Sequence, residues 1–229
     1  RRLHLNQMTE AANRCIDIAK WDRCKSDIDI ESLKGRDCFA GLDIGATSDF
    51  CALARVFPHD DIEIVGVAEQ VDGQVVNKQV MRRSYTLLMD FWLPKRPVKR
   101  DHRMEAQIAA WIKEGWIRTG GEGDVIENEV MMPDVVKLLE PYYLMNFAFD
   151  RGWQGASAGN YLQMTYGEDK VIQFNQGVLS MAAPFREFLE LTALGRLHHQ
   201  GNPVMRWMVS NVTATSRGGL VKPDKDKSP

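Results

Sequence analysis

The sequence predicts an α/β protein built on a mixed β-sheet that is flanked by helices. Three short apolar segments between residues 38 and 67 are joined by tight turns, and consecutive strands joined in this way are antiparallel. Later in the chain, apolar strands alternate with amphipathic helices, and a strand–helix–strand crossover requires parallel strands. We therefore expect three antiparallel strands, followed by parallel ones, in a single sheet.

The composition indicates one sizeable globular core without a membrane segment. The chain has 229 residues, of which 44% are hydrophobic and 26% charged, as in ordinary globular domains. No apolar run approaches the ~20 residues of a membrane span, and no signal peptide pattern is present. Because the formal net charge is −2, binding to a polyanion must depend on a local basic patch.

Residues 1–35 form a lead-in without a strand pattern. Apolar residues between Leu5 and Ala19 recur near a 3.6-residue period, which is typical of a helix. The chain begins at Arg1 rather than at a methionine and ends on a polar tail. We therefore expect a piece of a longer protein, with a lead-in at 1–35 and a main domain at 36–229.

The four cysteines are predicted to be reduced thiols. Their spacing contains no C-x-x-C pair, which zinc sites and redox dithiols commonly use. These residues are Cys15, Cys24, Cys38 and Cys51.

The first strand ends in a carboxylate. Cys38–Leu42 is an apolar strand that leads into Asp43, a small-residue turn at Ile44–Ser48 follows, and Phe50–Phe57 is the second strand. A carboxylate held at a rigid strand end is a suitable oxygen ligand for a divalent cation. The alternative is that Asp43 caps the turn through its own side chain.

A second strand ends in the same way. Leu144–Phe149 is an apolar strand that leads into Asp150, and small residues then open a helix that runs through Met164. If this strand lies beside the first one, both aspartates emerge at adjacent points on one edge of the sheet, where α/β proteins commonly bind ligands. Asp43 and Asp150 are therefore the candidate metal ligands.

The stretch Met81–Arg103 is locally basic, and Tyr85–Leu93 within it is apolar and aromatic enough for a strand. Ile62–Val67 is predicted to be the third strand, after a hairpin turn at Pro58–Asp61. The basic residues that follow can form a rim that tracks DNA phosphates, or simply a solvated loop. They are Arg82, Arg83, Lys95, Arg96, Lys99, Arg100 and Arg103.

Glycine-rich and proline-containing turns separate the next elements. Helix Met104–Glu114 ends at Gly115, and a short strand at Trp116–Thr119 leads into turn glycines. The chain contains no G-x-x-x-x-G-K-[ST], so no nucleotide site of the P-loop kind is expected. The next helix is predicted to begin after Asp124 and to restart at Pro133.

The last third of the chain is predicted to be mostly helical. Pro184–Leu194 and Val204–Asn211 have helical patterns, and the sequence becomes irregular from Ser216. His198 and His199 lie between these helices and invite a metal interpretation. Neighbouring side chains point apart on regular structure, which favours a structural or solvent role.

Five sequence motifs together resemble one protein family. LDIGATSDFCAL, WIKEGWIRTGGEGDVIENEV, FAFDRGW, LHHQGNPVMRWMVSNV and KPDKDK occur in the order found in the C-terminal nuclease domain of the large terminase subunit of tailed bacteriophages. The lead-in, HLNQ followed by a Trp and a Cys, resembles the linker from the preceding motor ATPase. The resemblance covers most of the chain.

This resemblance implies a ribonuclease H-like fold and an endonuclease that hydrolyses phosphodiester bonds of concatemeric double-stranded viral DNA. Two divalent cations, Mg²⁺ or Mn²⁺, are implied, with Asp43 as the first acid of a triad and Asp150 as the second. Asp49 is expected to be an outer-shell or turn-capping residue. The third acid lies in a segment after the lysine-rich loop, so the domain is expected to be truncated before its last helix. Asp224 and Asp226 lie in that loop and do not match the third position.

The resemblance also implies partners and a location. These are double-stranded DNA and, in the full protein, the ATPase domain, the portal and the small terminase subunit, in the cytoplasm of an infected or lysogenic bacterial host. Lacking the third acid, this fragment is expected to have weak, manganese-favouring activity or none.

Two alternatives belong to other classes. The fragment can be a catalytically silent module that docks on DNA or on the portal. The segment Asp43–Thr47 also resembles the phosphate-gripping turn of sugar kinases with an actin-like fold, although no second Gly-Thr turn follows Asp150.

Overall fold

A computed structural model describes residues 15–45, 49–71, 74–95, 102–121, 123–150 and 155–224. The strands are β1 (Asp37–Asp43), β2 (Cys51–Val71), β3 (Gln74–Pro94), β4 (Ile117–Gly120), β5 (Tyr143–Phe149), β6 (Val171–Gln173), β7 (Leu197–His199), β8 (Ala214–Arg217) and β9 (Leu220–Pro223). The helices are α1 (Ile18–Arg23), α2 (His102–Lys113), α3 (Asn128–Leu139), α4 (Gly155–Tyr166), α5 (Val178–Ala193) and α6 (Pro203–Asn211), with a 3₁₀ turn at Glu31–Leu33.

The main sheet has the mixed character that the sequence predicts. Its strand order is β4-β3-β2-β1-β5-β6, and β7 pairs with β3. β1, β2 and β3 are antiparallel neighbours, whereas β5 pairs parallel with β1 and β6 pairs parallel with β5. β4 and β7 both pair parallel with β3. The predicted order of three antiparallel strands followed by parallel strands is confirmed, and β1 lies inside the sheet beside β5. The third antiparallel strand is β3, however, and the predicted third strand at Ile62–Val67 belongs to β2.

The predicted turn at Pro58–Asp61 is wrong. β2 continues through this segment, and Pro58 is opposite Tyr85 in the pairing with β3. On the other side of β2, the pairing with β1 reaches only as far as Val56. Pro58 therefore lies where β2 has become an edge, and a missing backbone N–H is tolerated there. The Pro-His-Asp-Asp sequence has the composition of a turn, but the continuous ladder with β3 overrides that local preference.

Helices cover both faces of the sheet. Alternate residues of β1 face the core beneath α3 and α4, to which Val135 and Leu162 contribute. The opposite face of the sheet packs against α2 and α6, through Trp111 and Val204 among others. A strand that is buried on both faces of the sheet carries apolar side chains on both faces, which explains the near-continuous apolar runs in the sequence.

A buried ion pair links β2 and β3 on the α3 side of the sheet. Arg55 donates to Asp90 at 2.6 Å, and the two side chains are only 10% and 9% exposed. Arg118 donates to the other carboxylate oxygen at 2.7 Å. The remaining Arg55 contacts go to the Leu138 carbonyl and the Tyr142 hydroxyl. The carboxylate of Asp90 thus pairs with cations from β2 and β4, of which Arg55 is buried and Arg118 is 39% exposed.

The helices α3 and α5 and the hairpin β8–β9 differ from the predictions made from local sequence. α3 and α5 run without a break through Pro133 and Pro184, so neither proline restarts or begins a helix. α3 begins after Glu127 rather than near Asp124. Residues 216–223, which the sequence predicts to be irregular, belong to the hairpin β8–β9.

Part of the lead-in packs on the main domain. Trp21 in α1 is 1% exposed and stacks on His199 of β7, with 4.0 Å between the ring centroids. Asp22 forms a two-contact ion pair with Arg206 of α6. Ser26 N–H donates to the His199 carbonyl, which continues the backbone contact beyond α1. The boundary at residue 35 stays a prediction, and residues 1–14 lie outside the described ranges. No helix in the described ranges is long and apolar enough to span a bilayer.

Candidate functional site

The two candidate acids follow partner residues on neighbouring strands. Leu42 of β1 and Phe149 of β5 are partners in the parallel pairing, and both side chains belong to the core on the α3–α4 side. Neighbouring strands lie ~4.8 Å apart, and successive residues alternate between the faces of a sheet. Asp43 and Asp150 come one residue later. Their main-chain positions are therefore adjacent at the carboxyl ends of β1 and β5.

A tight turn supports Asp43. A Cβ atom at Gly45 would lie 2.6 Å from the Asp49 Cβ and 2.7 Å from the Phe50 carbonyl oxygen, which is closer than side chains approach. Gly45 therefore permits the chain to fold back closely behind Asp43 and to enter β2. Asp43 and Asp49 are both exposed, and residues 46–48 of the turn lie outside the described ranges.

Close packing supports the strand that precedes Asp150. The ring of Phe149 lies directly against Gly159 of α4, where a Cβ atom would overlap the ring. Gly159, one of the small residues that the sequence suggests as a helix opening, thus lets α4 approach the end of β5. Asp150 is partly buried, unlike Asp43.

The side chain of Gln176 forms a hydrogen bond with one of the candidate acids. Its Nε2 donates to Asp43 Oδ1 at 3.0 Å. Gln176 follows β6, whose residue Gln173 is the partner of Phe149. The sequence analysis did not select Gln176. The available signal was topological, because the carboxyl ends of successive parallel strands meet at one edge of a sheet.

The local charge at this edge is negative. Burial, together with the nearby carboxylates of Asp43 and Asp49, raises the pKa of the Cys51 thiol to about 11. Both carboxylates therefore act on the same buried group at the start of β2. This field disfavours a DNA phosphate unless a cation is present.

The donor set fits a hard divalent cation. Carboxylate oxygens from Asp43 and Asp150 are the ligands that Mg²⁺ and Mn²⁺ prefer, and Mg²⁺ commonly binds through one or two carboxylates and keeps several waters. Within the described ranges, no group of three or more His, Cys, Asp and Glu side chains is arranged to hold a metal. Asp224 is largely buried, and its N–H donates to the Thr213 carbonyl. Asp226 lies outside the described residues.

The predicted basic rim is divided by the fold. Arg82 and Arg83 lie on the long arm of the β2–β3 hairpin, where Arg83 pairs with Asp60 at 3.1 Å. Along β3, Arg83 is roughly 27 Å from the level of Asp43, at ~3.4 Å per residue. Lys95 follows the opposite end of β3, and Arg103 lies in the first turn of α2. Arg96, Lys99 and Arg100 fall outside the described residues.

His199, the second residue of the histidine pair, has a structural role. His199 is buried, its ring nitrogens contact the Trp21 carbonyl and the Gly201 N–H, and its ring stacks on Trp21. The structural interpretation of His199 is therefore confirmed. His198 is partly exposed on the same short strand.

Comparison with known proteins assigns the class. The family model for the terminase large subunit, endonuclease domain, matches residues 1–229. The chain therefore belongs to the terminase large subunit endonuclease domain family, as the sequence motifs indicated. This membership is to a nuclease family rather than to the sugar kinases.

Two similar proteins give the context. The crystal structure of the HK97 bacteriophage large terminase matches with a TM-score of 0.71 and 23% sequence identity, over 100% of this chain and 43% of that one. Protein YmfN of Escherichia coli (strain K12) is 20% identical over 234 residues, covering 98% of this chain and 47% of YmfN. The chain thus spans less than half the length of either protein. The HK97 match shows that the mixed sheet and its helices form a terminase-type fold.

Proposed function

We propose that this chain is the metal-dependent endonuclease domain of a phage DNA-packaging terminase and that it cleaves concatemeric double-stranded viral DNA. The observation that supports the site is the parallel pairing of Leu42 with Phe149, which makes Asp43 and Asp150 neighbours at one sheet edge. Family membership supports the reaction class.

In this proposal, the carboxylates of Asp43 and Asp150 hold the divalent cations. When bound, Mg²⁺ or Mn²⁺ supplies an activated water and stabilises the leaving 3′ oxygen in an in-line hydrolysis of the phosphodiester. Asp43, at the end of an inner strand, and Asp150, at the end of its neighbour, would both supply carboxylate oxygens to the cations. Asp49 acts from the outer shell or caps the turn. The two carboxylates also hold the local potential negative, so DNA enters productively only when the charge has been compensated.

DNA contact is proposed for the basic residues that lie nearest to the acidic edge. The net charge of −2 provides no general attraction to DNA, so binding depends on local cations. Lys95 and Arg103 come at the end of the sheet where β3 ends and α2 begins, the same end as Asp43. Arg82 and Arg83 on the hairpin arm can contact only a more distant part of a duplex. Each neutralised phosphate releases counterions, so binding weakens as salt increases.

The remaining partners belong to the full-length protein. We propose that an ATPase domain, the portal and the small terminase subunit act with this domain in the cytoplasm of an infected or lysogenic bacterial host. The proposal rests on family membership and on the fact that the chain covers 43% of the HK97 large terminase.

Nicking of supercoiled plasmid in Mn²⁺ tests the proposed function. Asp43→Asn and Asp150→Asn should each reduce nicking by more than about 100-fold, because even loss of a group that supports a metal ligand commonly costs 10–100-fold. Asp37→Asn is the matched control, since Asp37 is an exposed acid at the opposite end of the same strand. Chelation by EDTA should abolish nicking.

Two other results would change the assignment. Wild-type rates in both Asp43→Asn and Asp150→Asn would contradict the proposed site. Salt-dependent DNA binding by the wild-type chain, with no nicking in Mn²⁺ at any concentration, would instead favour the silent docking module.

A further inference from the structure

The side chain of Gln176 reaches one of the proposed metal ligands. Its Nε2 donates to Asp43 Oδ1 at 3.0 Å, although the two residues belong to distant parts of the chain. Gln176 lies in the short connection between β6 and α5, and this connection comes to the edge where β1 and β5 end. The contact is therefore a product of the sheet topology rather than of local sequence.

The backbone around Gln176 is held on both sides. Before it, the N–H of Phe174 donates to the Phe149 carbonyl at 2.7 Å, which extends the pairing beyond β6. After it, the N–H of Gly177 donates to the Asn175 side chain at 2.7 Å, and α5 begins at the next residue. The Gln176 carbonyl also accepts from the Lys222 ammonium at 3.4 Å. The amide group is thus presented from a fixed main chain.

A neutral donor is well suited to this position. A hydrogen bond from Gln176 to Oδ1 limits rotation of the Asp43 carboxylate. An ionised carboxylate has about four lone-pair sites, so this one donor does not occupy them all. A lysine or arginine here would limit the same rotation, but its positive charge would compete with the cation. An amide orients the ligand without cancelling its charge, which is the general role of groups behind a metal ligand.

We propose that Gln176 is a positioning residue that orients Asp43 for divalent cation binding. This inference rests on the proposed function, because it takes Asp43 as a metal ligand. It assigns to the β6–α5 connection a direct role in the site. It also predicts that removal of the amide weakens cation binding more than it slows the chemical step at saturating cation.

Direct Mn²⁺ binding, measured by titration calorimetry on the purified chain, tests this assignment. Gln176→Ala should weaken Mn²⁺ binding about 10-fold. Gln176→Asn should behave like Gln176→Ala, because the shorter side chain cannot reach Asp43. Gln173→Ala is the matched control, since Gln173 is an exposed glutamine in the same segment, and it should bind Mn²⁺ like the wild type. All variants should keep the wild-type unfolding midpoint.

Plasmid nicking provides a second measurement. The Mn²⁺ concentration for half-maximal nicking should increase with Gln176→Ala, while the rate at saturating Mn²⁺ should stay within about threefold of wild type. A purely structural role would instead lower the unfolding midpoint and leave the Mn²⁺ dependence unchanged.

The outcomes separate this inference from the proposed function. If Asp43→Asn abolishes Mn²⁺ binding but Gln176→Ala and Gln173→Ala both bind like the wild type, the role of Gln176 is overturned and the metal site stands. If the wild-type chain binds no Mn²⁺, or if Asp43→Asn binds it normally, both assignments are overturned.

Discussion

Leu42 and Phe149 are partners in the parallel pairing of β1 and β5, and each is followed directly by an aspartate. Because side chains alternate between the faces of a sheet, the burial of Leu42 turns Asp43 to the opposite face. Asp150 comes directly after the last residue of β5. One register thus brings two acids from distant parts of the chain to the same edge. A shift of one residue would turn one of them into the core.

The contact between Gly159 and Phe149 can be tested by adding one methyl group. Helix propensity alone predicts that Gly159→Ala stabilises the protein by about 0.5–1 kcal/mol. A Cβ atom at this position would overlap the Phe149 ring, so we expect the opposite sign, a loss of about 1–3 kcal/mol in the free energy of unfolding. Urea denaturation measures the difference.

Gly123→Ala is the control for this substitution. A Cβ atom there has no neighbour within 4 Å, and the change should leave the stability near that of the wild type. Because Phe149 directly precedes Asp150, Gly159→Ala should also reduce nicking. A variant of Gly159 that is more stable than the wild type would contradict the close packing of α4 on β5.

Removal of only one partner of the Arg55–Asp90 ion pair should strongly destabilise the protein. Both side chains are about nine-tenths buried, so Asp90→Leu leaves the Arg55 guanidinium without its partner in the core. We expect a loss of about 3–5 kcal/mol in urea denaturation. The double variant Arg55→Met/Asp90→Leu should lose less than Asp90→Leu alone, because no uncompensated charge stays buried.

The exposed pair Arg83–Asp60 provides the comparison. Its side chains are 61% and 59% exposed, so Asp60→Ala should cause no measurable change in the denaturation midpoint. If Asp90→Leu is as mild as Asp60→Ala, the burial assigned to the Arg55–Asp90 pair is incorrect.

The free energy of unfolding should decrease in mild acid because His199 is buried in its neutral form. Burial lowers the pKa of His199 below the ordinary 6.5, an effect that the hydrogen bond to the Trp21 carbonyl only partly offsets. The unfolded chain therefore takes up a proton near pH 6.5, before the folded chain does. The contribution of neutral His199 to the free energy of unfolding is fully present above about pH 7. It is lost as the pH falls through 6.5 towards the pKa of the folded state. Burial and the neighbouring Arg36 lower the pKa of His59 in the same direction.

Urea denaturation at pH 7.5 and at pH 5.5 measures this dependence. His199→Gln should be less stable than the wild type at pH 7.5, because the stack on Trp21 is lost. Its further loss of stability between the two pH values should be smaller than that of the wild type. Equal losses in the two proteins would rule out His199 as a source of the acid sensitivity.

The cysteines should differ in their reaction with iodoacetamide. Burial raises the pKa of Cys38 and of Cys51 to about 11, so only about one thiol in a thousand is ionised at pH 8. Both should stay unmodified in the native protein, whereas the partly exposed Cys15 should react first. In urea all four should react at similar rates, as followed by mass spectrometry. Rapid native labelling of Cys51 would show that the start of β2 is not buried.

The sequence suggests the two candidate acids but not the residue that contacts Asp43. Asp43 and Asp150 are recognisable because each ends a compact apolar run. Gln176 ends no such run, and only the pairing of β6 with β5 brings it to the edge. Its contact with Asp43 is long-range, and local patterns carry no information about such contacts.

The errors in the strand assignments have a similar origin. Pro58 and the polar residues after it have the composition of a turn, and the extended ladder between β2 and β3 outweighs that preference. The opposite error occurs at β8–β9, where Gly218 and Gly219 have φ values of 58° and 79°. Two central residues with positive φ are typical of a tight hairpin turn. The Gly-Gly pair was therefore a signal for a hairpin, although the flanking residues are weakly apolar.

The most direct test of the site is a crystal of this chain soaked in Mn²⁺ and measured at a wavelength where manganese scatters anomalously. We predict an anomalous peak between the carboxylates of Asp43 and Asp150, and its loss in Asp43→Asn crystals soaked in the same way. No peak at saturating Mn²⁺, or a peak that touches neither carboxylate, would contradict the assignment of this sheet edge as the nuclease site.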